Sequence, residues 1–306
     1  MNTIRKNVSK TLLSLALCAC AIPAFAQQSY PTAQGAADAL VDALGTTKAD
    51  AAKLAVVLGN DWRDYVPEDS IERKDVDAFL ARYMESHGMT AGKDGRMMIT
   101  AGSGALWTLP LPLAQDDKGW HFDMAAARDE IRTRRIGRNE LDVEQVLRAY
   151  HDAQMDYAEV DRDDDGTLEY AQKLVSTDGK HDGLYWSEDD SGQISPLGPR
   201  FGDDKPKGEY YGYRYHQFTS QGASAPGGAR NFLIGDNMSR GFALIAWPAE
   251  YGETGVMTMM IGYDGQIFER DLGPKTDELA RAMASYDPDS AWKEVPETTT
   301  ASTATP

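Results

Sequence analysis

The sequence is poor in the residues that carry most redox, metal and nucleophilic chemistry. It has two cysteines in 306 residues, Cys18 and Cys20, and five histidines that stand apart from one another. No H-E-x-x-H or other close histidine spacing occurs, so a histidine-held zinc site lacks sequence support. G-x-S-x-G is absent, and Gly102-Ser103-Gly104 reads as a turn rather than a nucleophile elbow. There is no P-loop and no G-x-G-x-x-G, the usual cradles for nucleotide phosphates. No catalytic residue is assigned. After the first 26 residues, no apolar run is long enough to span a bilayer. Positive charge is short as well: 31 Lys and Arg stand against 48 Asp and Glu, a formal net charge of −17. So acidic a chain is a poor ligand for nucleic acid or for an anionic membrane surface.

Both cysteines lie in what reads as a leader. Arg5, Lys6 and Lys10 precede the apolar stretch 12–22, and Ala24-Phe25-Ala26 is an A-x-A cleavage site. Residues 1–26 are therefore expected to be a signal peptide, and the mature chain to be periplasmic or secreted by a bacterium. Cleavage there removes both thiols and three positive charges, so no disulfide or thiolate ligand is expected. Leu17-Cys18-Ala19-Cys20 partly matches a lipobox, and a lipid anchor at Cys20 is the alternative.

Periodicity places three short helices in residues 30–90. Ala37, Leu40, Val41 and Leu44 share a face before Gly45, and Leu54, Val57 and Leu58 before Gly59. Thr47 is read as the cap of the second helix, with Asp50 three residues on. Ser70 is read as the start of the third, which carries Val76, Phe79, Leu80, Tyr83 and Met84 before Gly88. Short strands around 96–100, 106–113 and 120–122 follow, with a turn at 116–119. Helices then strands predict an α+β domain over 30–125, followed by a connecting helix in 126–138 that ends near Gly137. Asn139 is read as the cap of a second, longer helix, whose stripe is Val143, Val146, Leu147, Tyr150, Ala153 and Tyr157. Strands around 210–219, 231–234, 241–247, 256–263 and 266–270, with a hairpin at Asp264-Gly265, complete a second α+β domain, 139–293. A short helix is expected at 276–284. From Glu294 the chain reads as a disordered tail.

The densest chemistry is Asp161-Arg162-Asp163-Asp164-Asp165-Gly166-Thr167-Leu168-Glu169, which holds five carboxylates in nine residues. Asp161, Asp163 and Asp165 occupy positions 1, 3 and 5 of a calcium loop, and Gly166 the sharp turn at position 6. Thr167 is placed to offer its carbonyl, and Glu169 a carboxylate at position 9. Position 12 is Gln172 instead of the bidentate Glu, so a weak, structural Ca2+ site is the expectation; a solvated acidic turn is the alternative. Arg128, Arg132, Arg134, Arg135 and Arg138 form a basic patch, read first as a helix face with internal ion pairs. Tyr185, Trp186, Tyr210, Tyr211, Tyr213 and Tyr215 offer either a sugar- or peptide-binding face or a sheet face covered by the long helix. The spacing of 211, 213 and 215 places those three tyrosines on one face of a strand.

Several stretches resemble an exported bacterial family of unknown function, catalogued as domain of unknown function 2950. They are Arg135-Ile136-Gly137-Arg138-Asn139-Glu140-Leu141, the segment Asp161 to Gln172, Asp182-Gly183-Leu184-Tyr185-Trp186, and Gly241 to Gly255. That resemblance implies no activity. A looser one links the second domain to the globular domains of type II secretion pseudopilins. It rests on a long helix leading into D-x-D-x-x-G-x-x-E-Y, Gly212-Tyr213-Arg214-Tyr215, and the pair closed by Asp264-Gly265-Gln266-Ile267. It implies a pilin-like fold and a calcium-holding loop at Asp161, Asp163 and Asp165, without implying a fibre. The first domain is similar in element order to nuclear-transport-factor-like cones.

Three readings follow. The first is a non-catalytic envelope protein that binds or scaffolds an envelope protein or polymer. The second is a hydrolase of an envelope polymer using carboxylates between the domains. The third is a carbohydrate- or peptide-binding module.

Overall fold

The computed structural model describes residues 27–66, 72–104, 107–187, 192–198 and 209–296. The expected signal peptide, the Ser70 helix start and the last ten residues of the expected tail lie outside them. The chain is α+β, helices with antiparallel sheets, and it divides into two compact units on either side of the Arg128–Asp129 bond.

In the first unit, helix α1 (Ala33–Leu44) starts where the Thr32 hydroxyl accepts from the Gly35 N–H at 3.0 Å. It stops at Gly45, whose φ of 57° leaves no room for a side chain, since a Cβ would sit 2.5 Å from the Lys48 carbonyl oxygen. Its buried face is Ala36, Ala37, Leu40 and Ala43. Helix α2 (Ala51–Leu58) is capped by Asp50 and not by Thr47: the Asp50 carboxylate takes the N–H groups of Ala52 and Lys53. A one-turn helix, α3 (Trp62–Tyr65), follows. In α4 (Arg73–Glu85), Phe79 and Tyr83 are buried, whereas Met84 is exposed.

The sheet of this unit is a meander of β1 (His87–Ala91), β2 (Met97–Ala101), β3 (Leu113–Asp116) and β4 (Gly119–Phe122), in that order and antiparallel throughout. The polar strand β1, His-Gly-Met-Thr-Ala, has no apolar alternation to reveal it; pairing with β2 makes it a strand. Pro110 and Pro112 fall between the Thr108 bridge to Thr100 and the start of β3.

The break expected at Gly137 does not occur. One 34-residue helix, α5, runs Met124–Tyr157. A mid-helix Gly costs about 1 kcal/mol relative to Ala, a propensity that packing on either side readily overrides. Asn139 is consequently not a cap. Its amide donates to the Thr254 carbonyl at 2.7 Å, and Glu140 accepts the N–H groups of Val256 and Met257. These three contacts fasten the helix to the 254–257 segment of its own unit. The predicted stripe is the buried one: Val143, Leu147, Tyr150, Ala153 and Tyr157.

The main sheet of the second unit comprises β5 (Tyr213–Phe218), β10 (Ala243–Pro248), β11 (Met257–Gly262), β12 (Ile267–Asp271) and β13 (Lys293–Glu294), in the order β13-β12-β11-β10-β5. All six residues of β10 are buried, as expected of a strand covered on both faces. Each large aliphatic side chain buried there contributes roughly 1.5–3 kcal/mol relative to exposure. Helix α6 (Thr276–Ala282) holds Asp277 against one face, where its carboxylate accepts from Arg214 at 2.8 Å and from the Trp247 indole at 2.9 Å. Two ribbons, β6 (Ser220–Gln221) with β7 (Arg230–Asn231) and β8 (Leu233–Ile234) with β9 (Asn237–Met238), complete the unit. Glu294 does not begin the tail: it pairs with Phe268, and Val295 beyond it is buried.

Candidate functional site

The acidic run begins just past the end of α5. Two residues there take left-handed backbone, Asp164 (φ 59°) and Gly166 (φ 87°), and they turn the chain tightly enough for alternate aspartates to converge. Ligand oxygens of Asp161, Asp163 and Asp165 all lie within 4.8 Å of one another. Among the described residues this is the sole such cluster of three acidic, His or Cys groups. At that spacing each pair of carboxylates repels by roughly 1 kcal/mol even at the dielectric of water.

Backbone N–H groups offset part of this repulsion. Gly166 donates to Asp161 Oδ2 at 2.9 Å and Thr167 to Asp165 Oδ1 at 2.8 Å. Asn237 in β9 donates its amide to Asp165 Oδ2 at 2.5 Å. This amide, with the Thr167 N–H, lowers the pKa of Asp165. The other oxygen of Asp161, Oδ1, is buried and has no hydrogen-bond partner.

The run contains one cation, Arg162, and it points elsewhere. Its guanidinium lies over the rings of Tyr157 and Trp186, at 4.7 and 5.1 Å, and donates to Gln193 at 2.9 Å. Burial there lowers the pKa of Arg162.

The remaining predicted ligands are placed less directly. Glu169 stands outside the trio. Burial first, and then the charge of Asp163, raise its pKa, while a hydrogen bond from the Met238 N–H opposes them. Thr167 is held beside Asp165 through its N–H. Gln172, at position 12, donates to the Asp236 carbonyl at 2.5 Å. The loop is thus joined to the β8–β9 turn by Asn237, Asp236 and Met238. Nothing local in the sequence marks that turn as a partner, and only the tertiary fold reveals it.

Several of the other candidates make structural contacts. Arg132 and Arg135 converge on Glu253 at 3.3 and 3.0 Å, and Arg134 pairs with Glu130 at 2.8 Å, all within the second unit. Arg128 and Arg138 are exposed. The three tyrosines expected on one face do not all share a surface. Tyr213 is fully buried and donates to the Met257 carbonyl, Tyr215 is largely buried, and Tyr211 precedes the strand and is exposed. Gly212, at φ 71°, breaks the alternation between 211 and 213.

No curated protein and no solved structure matches the chain, and the likeness to pseudopilins is not shown. Residues 27–295 match the model of the family described as Protein of unknown function (DUF2950), and the chain belongs to that family.

Proposed function

We propose that this is an exported cell-envelope protein that binds or scaffolds a partner, and that its second unit holds a structural Ca2+ at Asp161, Asp163 and Asp165. The observation that carries the metal reading is the convergence of three carboxylates around a buried, unpartnered Asp161 Oδ1, with Arg162 turned away. Hard oxygen donors suit Ca2+ better than a softer metal. Calcium takes six to eight oxygens, so the Thr167 carbonyl and water would complete the shell, with Glu169 nearby. Lacking a bidentate Glu at position 12, the site belongs with the weak extracellular modules, whose Kd values lie around 10⁻⁴–10⁻³ M.

The test is thermal unfolding in EDTA and in 10 mM CaCl2. A millimolar Kd predicts stabilisation of about 1.4 kcal/mol at that concentration, absent in Asp161→Asn. An unchanged midpoint in the unmodified protein rejects the site. The partner-binding half is tested separately, by capture from the protein's own cell envelope. An eluate that matches an unrelated acidic control protein refutes it.

A further inference from the structure

The second unit has a further concave feature, separate in chemistry from the acidic loop. A groove of about 250 Å³ opens beside α5, with Val146 and Leu244 on its apolar walls. Tyr210, Tyr211 and Tyr215 line it, and Asp142 is the charged group among the described lining residues. Among the described lining residues there is no Lys, Arg or His.

Three features point to what the groove accepts. Asp142 is partly buried as a residue, and its carboxylate has no hydrogen bond or ion pair with any described residue. Tyr211 adopts φ 51°, a backbone conformation that non-glycine residues seldom take, and the residue remains 45% exposed. The residue at this turn is thus left open to solvent. The turn is pinned there because Gly212, also left-handed, lies against Asn139 and Thr254. The rings of Tyr210 and Tyr211 sit with centroids 4.3 Å apart, and both residues border the same space as Asp142.

Negative ring faces, an uncompensated carboxylate and apolar walls are complementary to a cation on a hydrocarbon stem. An anion would meet Asp142 with no basic residue among the described lining residues to offset it. The volume falls below the 300–1,000 Å³ typical of drug-sized ligands, which suits a small ligand. We propose that this groove binds a small aliphatic ammonium ion, its stem against Val146 and Leu244 and its charge between Asp142 and the tyrosine rings.

The test compares hexylammonium chloride, hexanol and glucose, titrated into the full chain in EDTA with NMR or calorimetric detection. EDTA makes the result independent of the acidic loop. Hexylammonium should bind in the millimolar range and hexanol about tenfold more weakly, with no saturable response to glucose. Asp142→Asn should weaken hexylammonium about tenfold while leaving hexanol unchanged, and Asp142→Glu should retain preference for the amine. Unfolding midpoints of the variants distinguish lost binding from lost folding, and Tyr211→Ala serves as a second variant expected to weaken the amine. Equal binding of amine and alcohol, saturable glucose binding, or an unaltered amine affinity in folded Asp142→Asn would each overturn the proposal.

Discussion

Asn237 donates its amide to Asp165 across 2.5 Å and so joins two segments 72 residues apart in sequence. The amide orients one of the three converging carboxylates from outside the loop. In metal sites such outer contacts typically matter by 10- to 100-fold in affinity. Asn237→Ala should weaken the calcium response by about tenfold, read as a rightward shift of the calcium dependence of the unfolding midpoint.

Glu169 predicts a change of sign. Without calcium its ionised carboxylate is disfavoured first by burial and then by Asp163. Glu169→Gln should then stabilise the metal-free protein at pH 7, by about 0.5 kcal/mol after solvent screening. In saturating calcium the same substitution should be neutral or destabilising. Paired denaturant curves in EDTA and in calcium would measure both arms.

Gly137 lies within α5, and a Cβ added there meets nothing within 4 Å. Gly137→Ala should raise stability by about 0.5–1 kcal/mol, because alanine restricts the unfolded chain and fits the helix. Urea denaturation would show it. A loss of stability would restore the two-helix reading.

Gly255 provides the opposite case. A Cβ there would collide with the ring and hydroxyl of Tyr213, which is buried and bonded to the Met257 carbonyl. Gly255→Ala should cost about 1–3 kcal/mol, the usual range for overpacking, and lower the thermal midpoint of the second unit.

Asp182 should contribute to acid sensitivity. Burial pushes its pKa up, but Lys173 at 2.6 Å and the Thr177 N–H and hydroxyl bring it down to about 2 from 3.8. A depressed carboxyl pKa adds stability above the unfolded value, and that stability is lost as pH falls through the folded one. The window is therefore pH 3.8 down to about 2. The carboxylate is 35% exposed, so the contribution is about 1 kcal/mol after screening. Asp182→Asn should be less stable at pH 6 and should flatten the decline below pH 4, as measured by urea midpoints across pH.

The α+β class and the acidic trio were legible because both rest on local pattern. Apolar residues at helical spacing mark α1, α2 and the buried stripe of α5, and D-x-D-x-D-G defines its own turn. What escaped depends on contacts distant in sequence. Gly137 resembles a helix stop until Asn139 and Glu140 are seen bound to the 254–257 segment. Asp236, Asn237 and Met238 join the site only when the fold returns them to it. Tyr211 matched the alternation of Tyr213 and Tyr215, but a left-handed Gly212 removed it from the strand.

The two residues of β13 have a consequence beyond their size. Lys293 and Glu294 occupy the outer hydrogen-bonding side of β12, while Gln266 donates to the Val295 carbonyl and Val295 to that of Ile267. Without them, Ile267–Glu269 would offer unpaired backbone groups to any passing strand, the usual starting point of intermolecular sheet growth. This short strand thus covers an edge that would otherwise be open to self-association. Shortening the protein ahead of Lys293 should make it prone to aggregate before it loses its fold.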